Sequence, residues 1–329
     1  TITIERIYKN GIKKYCNNTH FDLVLYSTPP ITLQKVVNYV KKRDNAIAYL
    51  LLKDIFPQNA LDLGILKKTG IHGLIYRYFR NKEKKLYDNS DYIGCMSPAN
   101  VDYLINNNKY IAEKKVNIVP NCVEVDDKQT MNEEEKTAIR SKYNLPNDKK
   151  IFVYGGNLGK PQGIDFMLEC LNKAQTITNA HFLIVGSGTE YNKIEQYINN
   201  YKLNNVTLHQ FIKKEEYDKL IQSCDVGLIF LDYRFTIPNF PSRLLSYMQA
   251  KIPVIAATDP NTDVGKIIEQ GGFGYSCMSN NVEGFLNAVS KIINDPLEKM
   301  GEIGFEYLKN HYSSSICYKE IMQKIGTLK

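Results

Sequence analysis

Two hydrophobic patterns alternate along this chain. Short runs that are apolar at nearly every position, such as IFVYGG, FLIVG and PVIAA, are rich in β-branched residues and bounded by Gly, Asn or Asp. Runs of that length and uniformity read as strands buried on both faces. Between them lie longer stretches with apolar residues three and four apart, the period of an amphipathic helix. The pattern predicts strands at 21–26, 46–52, 92–96 and 116–119 in the first half. In the second half it predicts them at 151–154, 181–185, 206–208, 226–231, 253–257 and 274–277. Strand and helix in such alternation predict an α/β protein with parallel sheets of doubly wound type.

The sequence places a break between Asn121 and about Lys150, where the charged run DDKQTMNEEEK and Pro146 follow the apolar VNIVP. We therefore expect a first Rossmann-like domain over 1–122 and a second over 123–311. A last helix, 312–329, is expected to return to the first domain. Only four strands are expected before the break, and the chain opens on a helix-like segment, TITIERIYKNGIKKYC. A doubly wound domain usually has more strands and starts on a buried one. The first domain is thus expected to be incomplete at its N-terminus.

Composition narrows the function classes. With 43% hydrophobic and 23% charged residues the chain is globular rather than disordered. No apolar run approaches the ~18 residues a membrane-spanning helix needs. Seven scattered cysteines, without a CxxC pair, read as reduced thiols of a cytoplasmic protein with no structural metal. Charge is uneven: residues 1–125 hold 19 Lys and Arg against 11 Asp and Glu, a net of +8, and the remainder nets −1. The densest basic stretch, KKTGIHGLIYRYFRNKEKK (67–85), carries Ile71, Leu74, Ile75, Tyr78 and Phe79 at helical spacing. We expect that stripe to pack on the protein's own sheet. The charge itself suits an anionic membrane surface, and no motif argues for nucleic acid.

The segment PNFPSRLLSYMQAKIPVIA (238–256) places the start of a helix, near Ser242, with Arg243 beside it, at the end of a sheet. Unpaired amides and a positive dipole make such a start an anion site. The strand IFVYGG, its loop NLGKPQG and the helix IDFMLECLNKA repeat the arrangement. Two such ends in one crevice would suit a diphosphate; singly, each is an ordinary βα turn.

The order of motifs resembles the family 4 glycosyltransferases, especially the capsule, O-antigen and exopolysaccharide subgroup. The resemblance runs from Phe21 onward through FDLVLYSTPP, LLLKDIFPQNA, IGCMSPANVDYL, VNIVPNCVEV, FVYGGNLGKPQGIDFML and FLIVGSGTEYNKI. It implies the GT-B fold, two doubly wound Rossmann-like domains facing across a cleft. Two departures stand out: Pro238 and Ser246 occupy the places of the family's paired glutamates, and Asn157 and Gln162 those of its loop Arg and Lys.

The resemblance implies a retaining, metal-independent transferase that needs no cofactor and takes a nucleotide-sugar, most simply a UDP-sugar, as substrate. Gly155, Gly156, Asn157, Lys160 and Arg243 would bind the donor diphosphate. Asn239, Phe240, Pro241 and Ser242 would line the sugar. Ser246, Gly186, Ser187, Gly188, His209, Phe211 and Ile212 would reach the ribose and base. Lys160 and Arg243 would stabilise the leaving diphosphate, and Asp54, at the end of a first-domain strand, would be the acidic group, unless it only caps its turn. The acceptor would be a lipid-linked saccharide at the cytoplasmic membrane face. A nucleotide-sugar epimerase of the same fold, or a catalytically inactive relative, remains open.

Overall fold

The computed structural model of the chain describes residues 4–127 and 131–326. It divides into two compact units. One runs to Asn121 and takes in Thr236–Asn239 and the chain from Ser315; the other spans Cys122–Phe235 and Phe240–Ser314. All ten predicted strands form, each end within three residues of expectation.

In the first unit, helix α1 (Ile4–Tyr15) precedes strand β1 (Leu23–Ser27), α2 (Gln34–Asp44) and β2 (Ile47–Leu52). Then come α3 (Gln58–Asp62), α4 (Gly70–Asn89), β3 (Tyr92–Cys95), α5 (Pro98–Asn107) and β4 (Val116–Ile118). The four strands are parallel and lie in the order β1-β2-β3-β4. Right-handed crossovers that always step the same way place α2, α4 and α5 on one face of this sheet. The start of α5 is legible in the sequence: Ser97 caps it by accepting from the amide of Asn100, and Pro98 takes the first turn. On the other sheet face, Cys317 and Ile321 pack with Tyr49 and Val119. The inserted segment is held within the unit by its polar groups. Thr236 donates to the Asp62 carboxylate from its amide at 2.8 Å and its hydroxyl at 2.9 Å, and Asn100 Nδ2 donates to the Pro238 carbonyl at 2.7 Å.

One expectation fails here. Ile71, Leu74, Ile75 and Tyr78 of α4 are not packed on the sheet but exposed by 76, 64, 39 and 45%. The helix buries its other side instead, through Gly73, Glu83, Leu86 and Tyr87. Periodicity identified the helix, but a helix with apolar residues on more than one side leaves open which side faces the sheet.

The second unit opens with α6 (Glu133–Lys142), whose capping box pairs Asn132 with Glu135. It continues through β5 (Lys150–Asn157), α7 (Ile164–Lys173), β6 (Ala180–Ser187), α8 (Tyr191–Tyr201), β7 (Val206–His209), α9 (Lys214–Gln222) and β8 (Val226–Phe230). After these come α10 (Arg243–Gln249), β9 (Val254–Thr258), α11 (Val264–Gln270), β10 (Gly274–Met278), α12 (Val282–Ile292) and α13 (Leu297–His311). A last helix, α14 (Ser314–Lys324), carries the Cys317 and Ile321 already placed in the first unit. The six parallel strands run β10-β9-β8-β5-β6-β7. That order reverses between β5 and β8, so the sheet has its topological switch point there. Phe152, Phe182, Phe230 and Phe285, all nearly or fully buried, form the aromatic centre of the core around β5, β6, β8 and α12.

Candidate functional site

The switch point is physically open. β5 and β8 pair only at Phe152 with Val226 and at Val153 with Gly227, and past those residues the two strands part. Tyr247 bridges the gap. Its hydroxyl accepts from the amide of Gly155 at 3.3 Å and donates to the carbonyl of Leu228 at 3.1 Å. Its ring lies over Gly227, where any side chain would overlap it. Burial pushes the Tyr247 phenol up to about 12, so it keeps its proton and both bonds.

Arg243 stands one helical turn before Tyr247, on the same face of α10. Its guanidinium lies 4.2 Å from the centroid of the Tyr154 ring. A Cβ added at Gly156 would sit 3.4 Å from Arg243 Nη2. Gly156 has φ +129, a conformation only glycine adopts comfortably. Burial acts against the Arg243 charge, while the neighbouring oxygens of Tyr154, Tyr247 and Tyr217 act for it, and the balance holds it firmly protonated. Among the described residues no carboxylate is paired with Arg243, and its Nη1 is buried without a hydrogen-bond partner. Buried cations ordinarily have a counter-ion or a full set of acceptors. This one has an aromatic bed and an unused donor.

The loop after β5 is braced from within. The Tyr154 hydroxyl donates to the carbonyl of Asn157 at 2.8 Å. Gln162 Oε1 accepts from the amide of Gly159 at 3.2 Å and from Asn157 Nδ2 at 3.4 Å. Where a cation is usual, then, Gln162 is a buried loop brace. Lys160 is exposed on the short 3₁₀ turn Lys160–Gln162 and is the one cation of this loop.

Other predicted residues separate by role. The space beside Gly155 is filled by the Tyr217 hydroxyl, and that beside Gly186 by the carbonyl of Gly156. Gly188 in the same way abuts the carbonyl of Leu158. Gly186 and Gly188 let the β5 and β6 loops pack backbone against backbone, with Ser187 exposed next to them. His209 Nε2 is 3.1 Å from the carbonyl of Tyr143, and the two rings meet edge to face. Phe211 is 73% exposed, and Ile212 is half-buried. Phe240 is buried against Tyr312, so its ring belongs to the core. Pro241 and Ser246 are half-buried and Ser242 is exposed, while Asn239 falls in the other unit.

The expectation of free amides at the start of α10 needs correction. The amides of Leu244 and Leu245 donate to the carbonyls of Pro241 and Ser242 at 3.2 and 3.1 Å. The anion-attracting group here is the Arg243 side chain. Tyr217 and Tyr247 were not foreseen. Only Tyr247 had a signal, its position four residues after Arg243; nothing in the sequence brings Tyr217 of α9 to Gly155.

In the first unit, Asp54 follows β2 in a tight polar turn. Its amide and that of Lys53 donate to Thr28 Oγ1, which donates in turn to the Asp54 carbonyl at 3.0 Å. Asn59 Nδ2 donates to Asp54 Oδ1 at 2.9 Å. Burial raises the carboxyl above its ordinary pKa, against the lowering effect of the Ile55 amide and Asn59.

Comparison with known proteins bears on the family. A family model described as glycosyl transferases, group 1, matches residues 135–306, more than half of the chain. The probable glycosyltransferase WbjE of Pseudomonas aeruginosa is 24% identical over 307 residues, covering 90% of this chain and 72% of that protein. The putative colanic acid biosynthesis glycosyl transferase WcaI of Escherichia coli is 24% identical over 251 residues, 75% of this chain and 60% of that one. Among solved structures, HepE of Anabaena, crystallised with UDP and glucose, superposes with a TM-score of 0.73 at 15% identity, covering 96% of this chain and 81% of HepE.

Proposed function

The chain belongs to the group 1 glycosyl transferases, as a family 4 enzyme of GT-B fold, and we propose that it builds a cell-surface polysaccharide from UDP-linked sugar. The group moved is a hexosyl or N-acetylhexosaminyl unit, and the acceptor is a lipid-linked saccharide at the cytoplasmic face of the membrane. Three features support this reading: WcaI is named for colanic acid biosynthesis, HepE was crystallised with UDP and glucose, and the first part of the chain is basic.

One observation carries the donor site: the half-buried Arg243, bedded on Tyr154 beside Gly156, whose buried Nη1 has no hydrogen-bond partner and which no carboxylate among the described residues neutralises. A diphosphate supplies what it lacks. The guanidinium fork offers parallel donors to phosphate oxygens. Poor solvation makes each bond stronger as negative charge grows on the departing diphosphate, which is where a transferase most needs stabilisation. Lys160 adds a mobile second charge from the β5 loop. Attack by the acceptor on the face the leaving group vacates retains the anomeric configuration and requires no protein nucleophile. The reaction is proposed to need neither metal nor cofactor, which turnover in EDTA checks.

The deciding experiment is calorimetric titration with UDP, GDP and ADP, repeated on Arg243→Ala. We expect saturable binding of UDP, weakened ~10–100-fold in the variant, the worth of a hydrogen-bonded charge. Equal UDP affinity in parent and variant would remove Arg243 from the site. No binding of any nucleotide at millimolar concentration would favour the catalytically inactive alternative. An epimerase would convert free donor in the absence of any acceptor.

A further inference from the structure

Arg243 is the first residue of α10, so no helical turn of its own precedes it to set where its side chain points. Holding so long a side chain in one direction costs conformational entropy, and something must supply the direction. Tyr154 does so. The guanidinium lies 4.2 Å from the centroid of its ring. That ring is fully buried on β5, with the ring of Phe230 on β8 at 6.2 Å between centroids. A ring held in the core cannot turn away, so it offers the guanidinium one fixed face.

The other end of the same side chain reaches the loop after β5. The Tyr154 hydroxyl donates to the carbonyl of Asn157 at 2.8 Å. Asn157 Nδ2 donates to Gln162 Oε1 at 3.4 Å, and the same oxygen accepts from the Gly159 amide at 3.2 Å. This chain of hydrogen bonds ends one residue before Lys160. Burial raises the Tyr154 phenol above its ordinary pKa, so it keeps its proton and stays neutral. A neutral ring holds a cation without cancelling its charge. A carboxylate in that place would hold the guanidinium as firmly, but it would occupy the donors a phosphate needs.

We propose that Tyr154 is a positioning residue of the donor site: its ring aims the Arg243 guanidinium, and its hydroxyl sets the loop that carries Lys160. One side chain thus brings two cations from separate elements, α10 and the β5 loop, into register on one diphosphate. The other phenols beside Arg243 do not share this task. The Tyr247 hydroxyl is engaged with the Gly155 amide and the Leu228 carbonyl, and that of Tyr217 fills the space beside Gly155. Fixed aim matters because donors already in place need no reorganisation as charge grows on the leaving group. The inference rests on the donor-site reading of the proposed function and deepens it.

The test is a double-mutant cycle on the full chain, read by UDP titration, with melting curves to show that each variant folds. Tyr154→Leu, which removes the ring, should raise the Kd for UDP about tenfold in the parent and less than about twofold in Arg243→Met. Tyr154→Phe restores the ring and should recover most of that loss. It also cuts the hydroxyl branch, so Lys160→Ala should cost about fivefold in the parent and less than about twofold in Tyr154→Phe. Equal losses from Tyr154→Leu with and without Arg243 would show that the ring acts only on the fold, and would overturn the inference. A Tyr154→Phe that binds UDP no better than Tyr154→Leu would do the same. Should Tyr154→Leu not fold, the Lys160→Ala pair decides, and an equal cost in both backgrounds overturns the proposal. An Arg243→Met that binds UDP like the parent sinks the donor site and this inference with it. A weakened Arg243→Met in which Tyr154→Leu costs as much as in the parent sinks the inference alone.

Discussion

Arg243 is a residue whose cost and use point in opposite directions. Desolvating a cation without a counter-ion is expensive, and the ring of Tyr154 returns only ~2 kcal/mol of that. Arg243→Met, which keeps volume and contact with the ring, should leave the ligand-free chain at least as stable in urea while weakening UDP binding ~10–100-fold. A loss of more than ~2 kcal/mol would mark the arginine as a structural strut. Asp54 gives a second test, in pH. Its folded pKa lies above the unfolded value, so the stability it contributes is complete below the unfolded pKa and lost as pH rises through the folded one. Asp54→Asn has no such loss. Denaturation across pH should show the variant gaining on the parent as pH rises from the acid side, and parallel curves would mean that the carboxyl is not perturbed.

The elements carry the site through the parting of β5 from β8. Tyr247→Phe leaves the Gly155 amide and the Leu228 carbonyl without their partner, which should cost ~1–3 kcal/mol in denaturant unfolding. A smaller loss would mean that the strands close the gap unaided. Between β6 and β7, His181 Nε2 sits 2.8 Å from Thr207 Oγ1. Burial, helped by Lys149, lowers the His181 pKa to about 4 from an ordinary 6.5. The unfolded chain therefore takes up the proton first, and stability should fall as pH drops from about 6.5 to about 4. The full loss is on the order of 3 kcal/mol. His181→Gln should flatten that stretch of the curve, and an unchanged slope would assign the loss to other groups.

For the molecule as a whole, ligand binding and stability are linked. UDP at a hundredfold excess over its Kd should stabilise the chain by ~2.7 kcal/mol, raising its thermal transition, and at the same concentration should stabilise Arg243→Met by only ~0.4–1.4 kcal/mol. An equal rise in both proteins would place the nucleotide elsewhere.

The alternation of apolar runs with amphipathic stretches was enough to locate ten strands, because a parallel strand buried on both faces must be apolar throughout. Motif order along the chain was enough for the family, and Arg243 was readable as the cation at the start of the helix between β8 and β9. Tertiary structure decided the rest. Which side of α4 meets the sheet depends on what the neighbouring helices offer, and a helix with apolar residues on several sides cannot specify it alone. Gln162 as a loop brace, Phe240 as a core ring and Tyr217 over Gly155 each depend on a partner distant in sequence. The unsatisfied Nη1 of Arg243 is likewise a fact of burial: it exists only once folding has withdrawn that donor from water and, among the described residues, supplied no acceptor in its place.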